Sequence, residues 1–352
     1  MNVRLEDIAR ELKLSIATVS RAMANDRRVK PETKKQVKAK AKQMGYRQNL
    51  IAKSLISGKT NVIGVIIPRY DEPFFIEVCR GIDQFARKNN YRILMSSSMN
   101  ALKYEKENIQ TFEKGTVDGV IISVTHETDS YNHIKELTSF NLPVVMFDNY
   151  HYCLKNTGHV RIDDEKAAFN AVDYLIRKGN HDIGFIGGTV KKTVFNHRYE
   201  GYVKAHNKSG VSYNTELTLS CNSIYQDYEY QEIYNFIENL SQLPDAFFCT
   251  TDNYAILLIK ILKKFNIKVP DDVEVVGFGD LNYSKMLTPE LSCVSQPSFK
   301  MGSKAAEMLI SKINKGYYLP DRGHELVLST RLIQRETTKQ AYSKTSTKEQ
   351  VS

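Results

Sequence analysis

Residues 5–23 read Leu-Glu-Asp-Ile-Ala-Arg-Glu-Leu-Lys-Leu-Ser-Ile-Ala-Thr-Val-Ser-Arg-Ala-Met. Leu5, Ile8, Ala9 and Leu12 fall at i, i+3, i+4 and i+7, one face of a short helix, and Val19 and Met23 repeat the spacing beyond a turn. Ser15 stands where a second helix would open, its side-chain oxygen able to accept from an unpaired first-turn amide. Two short helices sharing a small core across a tight turn make a helix-turn-helix. The second helix then presents Ile16, Ala17, Thr18, Ser20 and Arg21, and in such a motif that surface enters the DNA major groove.

Charge is placed accordingly. Residues 1–60 hold 15 Lys and Arg against 5 Asp and Glu, out of 49 and 40 in the whole chain, which leaves 34 against 35 for the rest. Basicity confined to one end matches a polyanion gripped by that end. A third helix follows, with Pro31 suited to a first helical position, Val37, Ala41 and Met44 on one face, and Gly45 as a stop. Its other face offers Lys34, Lys35, Lys38 and Lys42 to phosphates. Residues 48–58 have helical composition but span only about two turns, marginal alone in water.

From Val62 the pattern changes to apolar strands, expected at 62–67, 92–97, 119–124, 144–147, 183–186, 246–250 and 273–278. Helices are expected between them, near 75–89, 103–114, 165–178, 198–209, 227–240, 252–265 and 299–314. Near-continuous apolar strands alternating with helices indicate parallel sheets covered on both faces. About ten strands exceed one compact sheet, and the pattern restarts after Asp163, which predicts two doubly wound lobes with a cleft between them. The expected fold class is therefore an all-α helix-turn-helix head plus an α/β body. The expected domains are 1–48, a linker at 49–60, a two-lobed body at 61–340 and a disordered polar tail at 341–352.

With 41% hydrophobic and 25% charged residues over 352 positions, the composition is that of an ordinary globular chain. No apolar stretch approaches the roughly 20 residues that span a bilayer and no secretory signal opens the chain, so a cytoplasmic location is expected. Cys79, Cys153, Cys221, Cys249 and Cys293 are odd in number and far apart, and read as reduced core residues. The histidines show no metal spacing, Gly187-Gly188 alone is no dinucleotide fingerprint, and there is no Gly-x-x-x-x-Gly-Lys-Ser/Thr loop. Neither metal nor cofactor is expected, and an enzyme finds no support.

Several stretches resemble the LacI/GalR family of transcriptional regulators, collinearly from about Val3 to Glu336. In the head they are residues 15–22, Pro31-Glu32-Thr33, Met44-Gly45-Tyr46 and the hinge-like Ile51-Ala52-Lys53-Ser54-Leu55. In the body they include Pro73-Phe74-Phe75, Arg80-Gly81-Ile82, residues 117–121, Lys178-Gly179-Asn180-His181, Arg198-Tyr199-Glu200-Gly201-Tyr202, Val275-Val276-Gly277-Phe278 and Ser295-Gln296-Pro297. The resemblance implies a body like that of periplasmic sugar-binding proteins, dimerisation through the body, and a ligand between the lobes. It also implies that Leu55, beside Lys53, wedges into the minor groove at the centre of a palindrome.

Three departures stand out. Lys13 replaces a frequent Gly in the turn, where a left-handed residue costs roughly 1 kcal/mol. Ala24 replaces a frequent Asn, with Asn25 one place later as the candidate phosphate contact. Gly279 stands where many members place an effector-binding Asp, so Asp280 is the candidate substitute.

Among head residues, Arg21 can pair with guanine O6 and N7, or else hold a phosphate. Ile16 and Ala17 would read thymine methyls or groove shape, or simply pack; Ser15, Thr18 and Ser20 would position the helix on phosphates. In the body, Arg198 matches the family's effector-gripping Arg, a fork for paired hydroxyls or a carboxylate, against the alternative of a surface ion pair. Phe74 and Phe75 follow the first strand, where doubly wound lobes bind ligands; one would stack on the effector and the other fill the core. Asp148 and Asp252 could accept sugar hydroxyls, although Asp252 could equally cap a helix.

The expectation is a dimeric DNA-binding regulator on a palindromic operator, controlled by a small metabolite, most plausibly a sugar or sugar derivative. Repression is the expected sign, with activation or dual control as the alternative. A sugar-binding transport protein would explain the body but not the basic head.

Overall fold

The computed structural model describes residues 3–46, 58–149, 154, 156–188, 194–221, 226–280, 282–317 and 324–339. Its contacts divide the chain into two compact units, residues 1–60 and 61–352.

In the first unit, α1 (Leu5–Leu12), α2 (Ile16–Met23) and α3 (Pro31–Gln43) enclose a core of Ile8, Ala9, Val19, Ala22, Val29, Val37 and Ala41. Lys13 ends α1 in the left-handed region at φ 51°, and the Leu14 N–H donates to Ala9 O at 3.0 Å. The turn thus takes the conformation a glycine would adopt without cost, on a residue that pays a steric penalty for it. Ser15 caps α2 as its Oγ accepts from Thr18 N at 3.1 Å.

The second unit holds two six-stranded sheets. One comprises β1 (Val62–Ile67), β2 (Arg92–Ser97), β3 (Val120–Ile122), β4 (Val144–Phe147), β5 (Thr157–Ile162) and β11 (Glu325–Leu328), in the order β2-β1-β3-β4-β5-β11, all parallel. The other comprises β6 (Ile183–Gly188), β7 (Thr218–Cys221), β8 (Ala246–Cys249), β9 (Glu274–Gly279), β10 (Ser292–Ser295) and β12 (Arg331–Ile333), in the order β7-β6-β8-β9-β10-β12. Only β12 runs antiparallel there, against β10. Both orders place a strand-order reversal beside the first strand of the lobe, where doubly wound sheets bind ligands beyond their strand ends.

The helices of the body are α4 (Pro73–Lys88), α5 (Leu102–Glu113), α6 (Asn132–Ser139), α7 (Asp164–Arg177), α8 (Val194–Ser209), α9 (Gln226–Glu238), α10 (Asp252–Lys264) and α11 (Ser298–Lys315). The chain changes lobe after β5, after β10 and between β11 and β12. Helix α11 packs against α4, and their approach is close because neither carries a side chain at the crossing. A Cβ on Gly302 would lie 1.9 Å from Val78 O, and one on Gly81 would lie 2.1 Å from Phe299 O.

Strands β5, β7, β10, β11 and β12 and helix α6 are additions to the sequence-based elements. The strands run to three to six residues and several carry Ser, Thr or Arg, so their pairing partners rather than their own periodicity define them. Cys79, Cys221, Cys249 and Cys293 are buried and form no disulfide; Cys153 lies outside the described residues. The expected hinge helix, including Lys53 and Leu55, and the expected tail also lie outside them.

Candidate functional site

In the head, the surface of α2 that faces away from its core consists of exposed Ile16, Ala17, Ser20 and Arg21, with Ile16 half accessible to solvent. Thr18 is half-buried and its hydroxyl lies 2.8 Å from that of Ser15, so both hydroxyls partly serve the cap. Asn25 adopts φ 61° just after α2, and Lys38 Nζ donates to its Oδ1 at 3.4 Å, linking it to the basic face of α3.

In the body, a cavity with about 670 Å³ of atom-free space, its mouth included, lies beyond the carboxyl ends of both sheets. Pro68 follows β1, Asn100 follows β2, His126 follows β3, Asp148 follows β4, Asp252 follows β8 and Gln296 follows β10, and all six border it. This is the cleft the two-lobe reading requires.

Arg198 is 3% exposed and lines the cavity. It stands in the second turn of α8 rather than at the helix start expected from the sequence, because the helix begins at Val194. Its Nε donates to Asp164 Oδ1 at 2.8 Å and its Nη1 donates to Thr250 O at 2.6 Å. Its guanidinium carbon lies 3.8 Å from the centre of the Phe278 ring. The arrangement is neither a surface ion pair nor a free fork: the cation is buried, stacked and held by the first residue of α7.

Phe74 and Phe75 both border the cavity and meet edge to face at 5.2 Å. Phe75 is 5% exposed and also packs edge to face on Phe147, so it is the core member of the pair, while Phe74 is half-buried at the cavity wall.

Asp148 lies in the left-handed region at φ 57°. Burial raises its carboxyl to about 7, with Asp164 adding to the rise, Arg198 opposing it and Glu72 adding again. Asp252 opens α10, but the cap is Thr251, whose hydroxyl accepts from Tyr254 N at 3.2 Å. The Asp252 carboxylate instead accepts from Ser284 Oγ at 2.6 Å. It rests against two glycines: a Cβ on Gly277 would lie 2.7 Å from its Oδ1, and one on Gly279 would lie 3.1 Å from its Cγ. Gly279, with φ 155°, thus clears the space that Asp252 occupies.

Asp280 is a correction. It is absent from the cavity lining, and its Oδ1 accepts from Arg335 Nη2 at 2.5 Å. The turn at Gly279 and a left-handed Asp280, φ 60°, carry the side chain to that partner.

Sequence reasoning missed Glu72, Asn100, His126 and Asn149 in the wall, and gave Gln296 no role. The loop bearing His126 is tied from below. Buried Glu105 of α5 accepts from Thr125 N at 2.6 Å and Thr128 Oγ1 at 2.9 Å, and lies 2.7 Å from His133 Nε2. Thr125 Oγ1 in turn donates to Asn100 O at 2.6 Å. Burial lowers His126 to about 4, so its ring is neutral at physiological pH. The signal that could have found Asn100 is its type and place: an Asn just after a strand, here at φ 57°, suits a left-handed loop entering a site. No cluster of His, Cys, Asp and Glu able to hold a metal occurs among the described residues.

Comparison with known proteins fits both parts. The description "Bacterial regulatory proteins, lacI family" matches residues 4–49, and "Periplasmic binding protein-like domain" matches residues 172–338. The chain is 34% identical over 344 residues to the HTH-type transcriptional regulator RegA of Clostridium saccharobutylicum, covering 96% of this chain and 100% of that one. The chain belongs to the LacI family. This LacI-family protein is accordingly a DNA-binding transcriptional regulator and not an enzyme. It shares its fold with the lac repressor dimer bound to operator and the anti-inducer ONPF, at TM-score 0.81 and 18% identity, covering 96% and 99% of the two chains. It shares it also with the transcriptional regulator CelR in complex with cellobiose, at TM-score 0.70 and 23% identity, covering 96% and 100%. No helix among the described residues is long and apolar enough to cross a membrane.

Proposed function

We propose that this regulator is a homodimeric repressor whose grip on a palindromic operator changes when a sugar or sugar derivative occupies the cavity of its body. The observation that carries the effector half is the convergence of Phe74, Asp148, Arg198 and Asp252, from four separate strand ends or helices, on one cavity. Operator in the lac repressor structure and cellobiose in the CelR structure support the same division of labour.

In this reading Arg21 reads a guanine, Ile16 and Ala17 meet thymine methyls, and Ser15, Thr18, Ser20 and Asn25 hold phosphates. Lys53 and Leu55 act at the hinge, with Leu55 as the minor-groove wedge. A ligand that favours one spacing of the lobes alters the cost of ordering the hinge on DNA, and so shifts operator affinity by its differential affinity for the two states.

The test is selection of duplexes by the full chain, followed by anisotropy titration of the selected duplex with and without sugars that raise the protein's melting temperature. A palindromic consensus bound by two chains, with affinity altered at least fivefold by a stabilising sugar, is expected. Sequence-independent binding, or a sugar that binds without changing operator affinity, would sink the reading.

A further inference from the structure

The start of α8 reaches across the cavity to the other lobe at two points. Val194 N donates to Asn149 Oδ1 at 3.3 Å, and the centre of the Phe195 ring lies 5.5 Å from that of the His126 ring, tilted by 38°. Val194 and Phe195 belong to the lobe of β6, whereas Asn149 follows β4 and His126 follows β3 in the lobe of β1. All four residues border the cavity. The hydrogen bonds of Arg198, by contrast, stay within its own lobe, and so do the ring contacts of Phe74 and Phe75.

The crossing is anchored on both sides. In the lobe of β6, the Phe195 ring covers the strand end, where a Cβ on Gly188 would lie 2.7 Å from it, and the Arg198 guanidinium carbon lies 5.9 Å from its centre. In the lobe of β1, His126 sits in the loop that Glu105 ties through Thr125 N and Thr128 Oγ1. Asn149 O accepts from Val124 N at 3.4 Å, so both partners of α8 belong to one hydrogen-bonded unit.

The place of His126 is imposed by that unit. Its Nδ1 is buried without a hydrogen-bond partner, a cost that falls on the ring wherever the loop holds it against Phe195. The ring separation lies within the range of about 4.5–7 Å at which aromatic pairs attract. Both contacts join protein to protein, so their formation needs no third molecule.

Resting on the regulatory reading above, we infer that the start of α8 is a clasp between the lobes, and that its strength sets the lobe spacing, and with it the operator affinity, before any effector binds. Phe195, His126 and Asn149 are positioning residues in this scheme. An effector works on a balance the clasp has already set, and shifts it only by its differential affinity for the two spacings.

The chain contains no tryptophan, so Phe195→Trp places a single reporter at the clasp. Acrylamide quenching of that reporter in the full chain, with no sugar added, is expected to be slow. Adding His126→Ala, a change in the opposite lobe, should at least double the quenching constant, whereas adding His126→Phe, which keeps a ring, should leave it low. Without the reporter, His126→Ala should shift sugar-free operator affinity by about fivefold or more, and His126→Phe should stay close to the parent. Should Phe195→Trp fail to fold, amide exchange at residues 194–199 takes its place, and His126→Ala should quicken it there. A start of α8 that does not respond to His126→Ala overturns the inference. A response that leaves operator affinity unchanged, while a stabilising sugar still shifts it, overturns it too, and in that case the regulatory reading stands. A clasp that responds and shifts operator affinity when no bound sugar does so overturns the effector control of the regulatory reading and leaves the clasp.

Discussion

Arg198 and Asp164 form an ion pair, Nε and Nη2 each 2.8 Å from Oδ1, with both side chains 4% exposed. The pair joins the second turn of α8 to the first residue of α7 at the edge of the cavity. An effector that engages Arg198 therefore meets a guanidinium already oriented, its Nε–Nη2 edge committed to Asp164 and its Nη1 to the Thr250 carbonyl.

That geometry sets the first prediction. Arg198→Ala removes the partner of a buried carboxylate, and breaking a buried pair on one side costs about 3–5 kcal/mol. The variant should lose stability as well as effector affinity. Asp164→Asn in the same chain should recover much of the stability while affinity stays low. Urea unfolding followed by circular dichroism, with calorimetry alongside, separates the two effects. Full stability in Arg198→Ala alone would mean that Asp164 is compensated by other groups.

A second prediction concerns Glu105, which reaches the cavity only through others. Glu105→Gln removes the carboxylate that accepts from Thr125 N, Thr128 Oγ1 and the His133 ring, and each buried donor left unsatisfied costs about 1–3 kcal/mol. A glutamine keeps one acceptor and a similar shape, so the loss should be partial and smaller than for Glu105→Ala. Because the tied loop carries His126 and is bonded to Asn100, amide exchange at residues 123–128 should quicken and effector affinity should fall. Faster exchange with unchanged affinity would place His126 and Asn100 outside ligand contact.

Proton linkage supplies the third. Asp148 is raised from its ordinary 3.8 to about 7 in the folded protein, so folding takes up a proton between those values. Its contribution to stability is present at pH values below the unfolded value, declines as pH rises from about 4 to 7, and is lost above 7. A ligand hydroxyl that donates to Asp148 favours the ionised form and lowers that value, so binding should release a proton near pH 6–7. Effector affinity should then rise with pH up to about 7 and level off. Calorimetry in two buffers of different ionisation enthalpy measures the release. Proton uptake on binding, or none in this window, would separate Asp148 from the ligand.

Much of this was legible in residues 5–23, because helical spacing and a cap are local properties. The spacing placed Ile8, Ala9 and Val19 in one core and Ser15 at the cap, and the family resemblance pointed to a left-handed residue at Lys13. The long apolar strands were legible for the same reason. Short β7 (Thr-Leu-Ser-Cys) and β10 (Ser-Cys-Val-Ser) were not, since their Ser and Thr break the apolar run that marks the equally short β4 and β8. In the cavity, motif matching located Arg198 but not Asp164, its partner 34 residues earlier. It also shifted one contact to Asp280, when the space cleared by Gly279 belongs to Asp252 from a different helix. Pairings across the fold carry no local signature, which is why Glu72, Asn100 and His126 escaped as well.

The last prediction returns to α2. Arg21 is exposed there beside Ser20 and Ala17, while Lys35, Lys38 and Lys42 on α3 form a separate exposed basic face. A residue that reads a base edge and residues that neutralise phosphates leave different traces in binding data. Arg21→Ala should relax base preference at one position in each half-site, at about 1–3 kcal/mol, because the paired bonds to guanine are lost whatever the flanking sequence. Lys38→Ala should weaken operator and random duplex alike and lower the steepness of the salt dependence by roughly one released counterion per chain. Anisotropy titrations of both variants against the selected operator, its single-base variants and a random duplex, over a range of salt concentrations, distinguish the cases. A uniform loss with Arg21→Ala, accompanied by a shallower salt slope, would reassign Arg21 to the phosphates and leave the reading of sequence to Ile16 and Ala17.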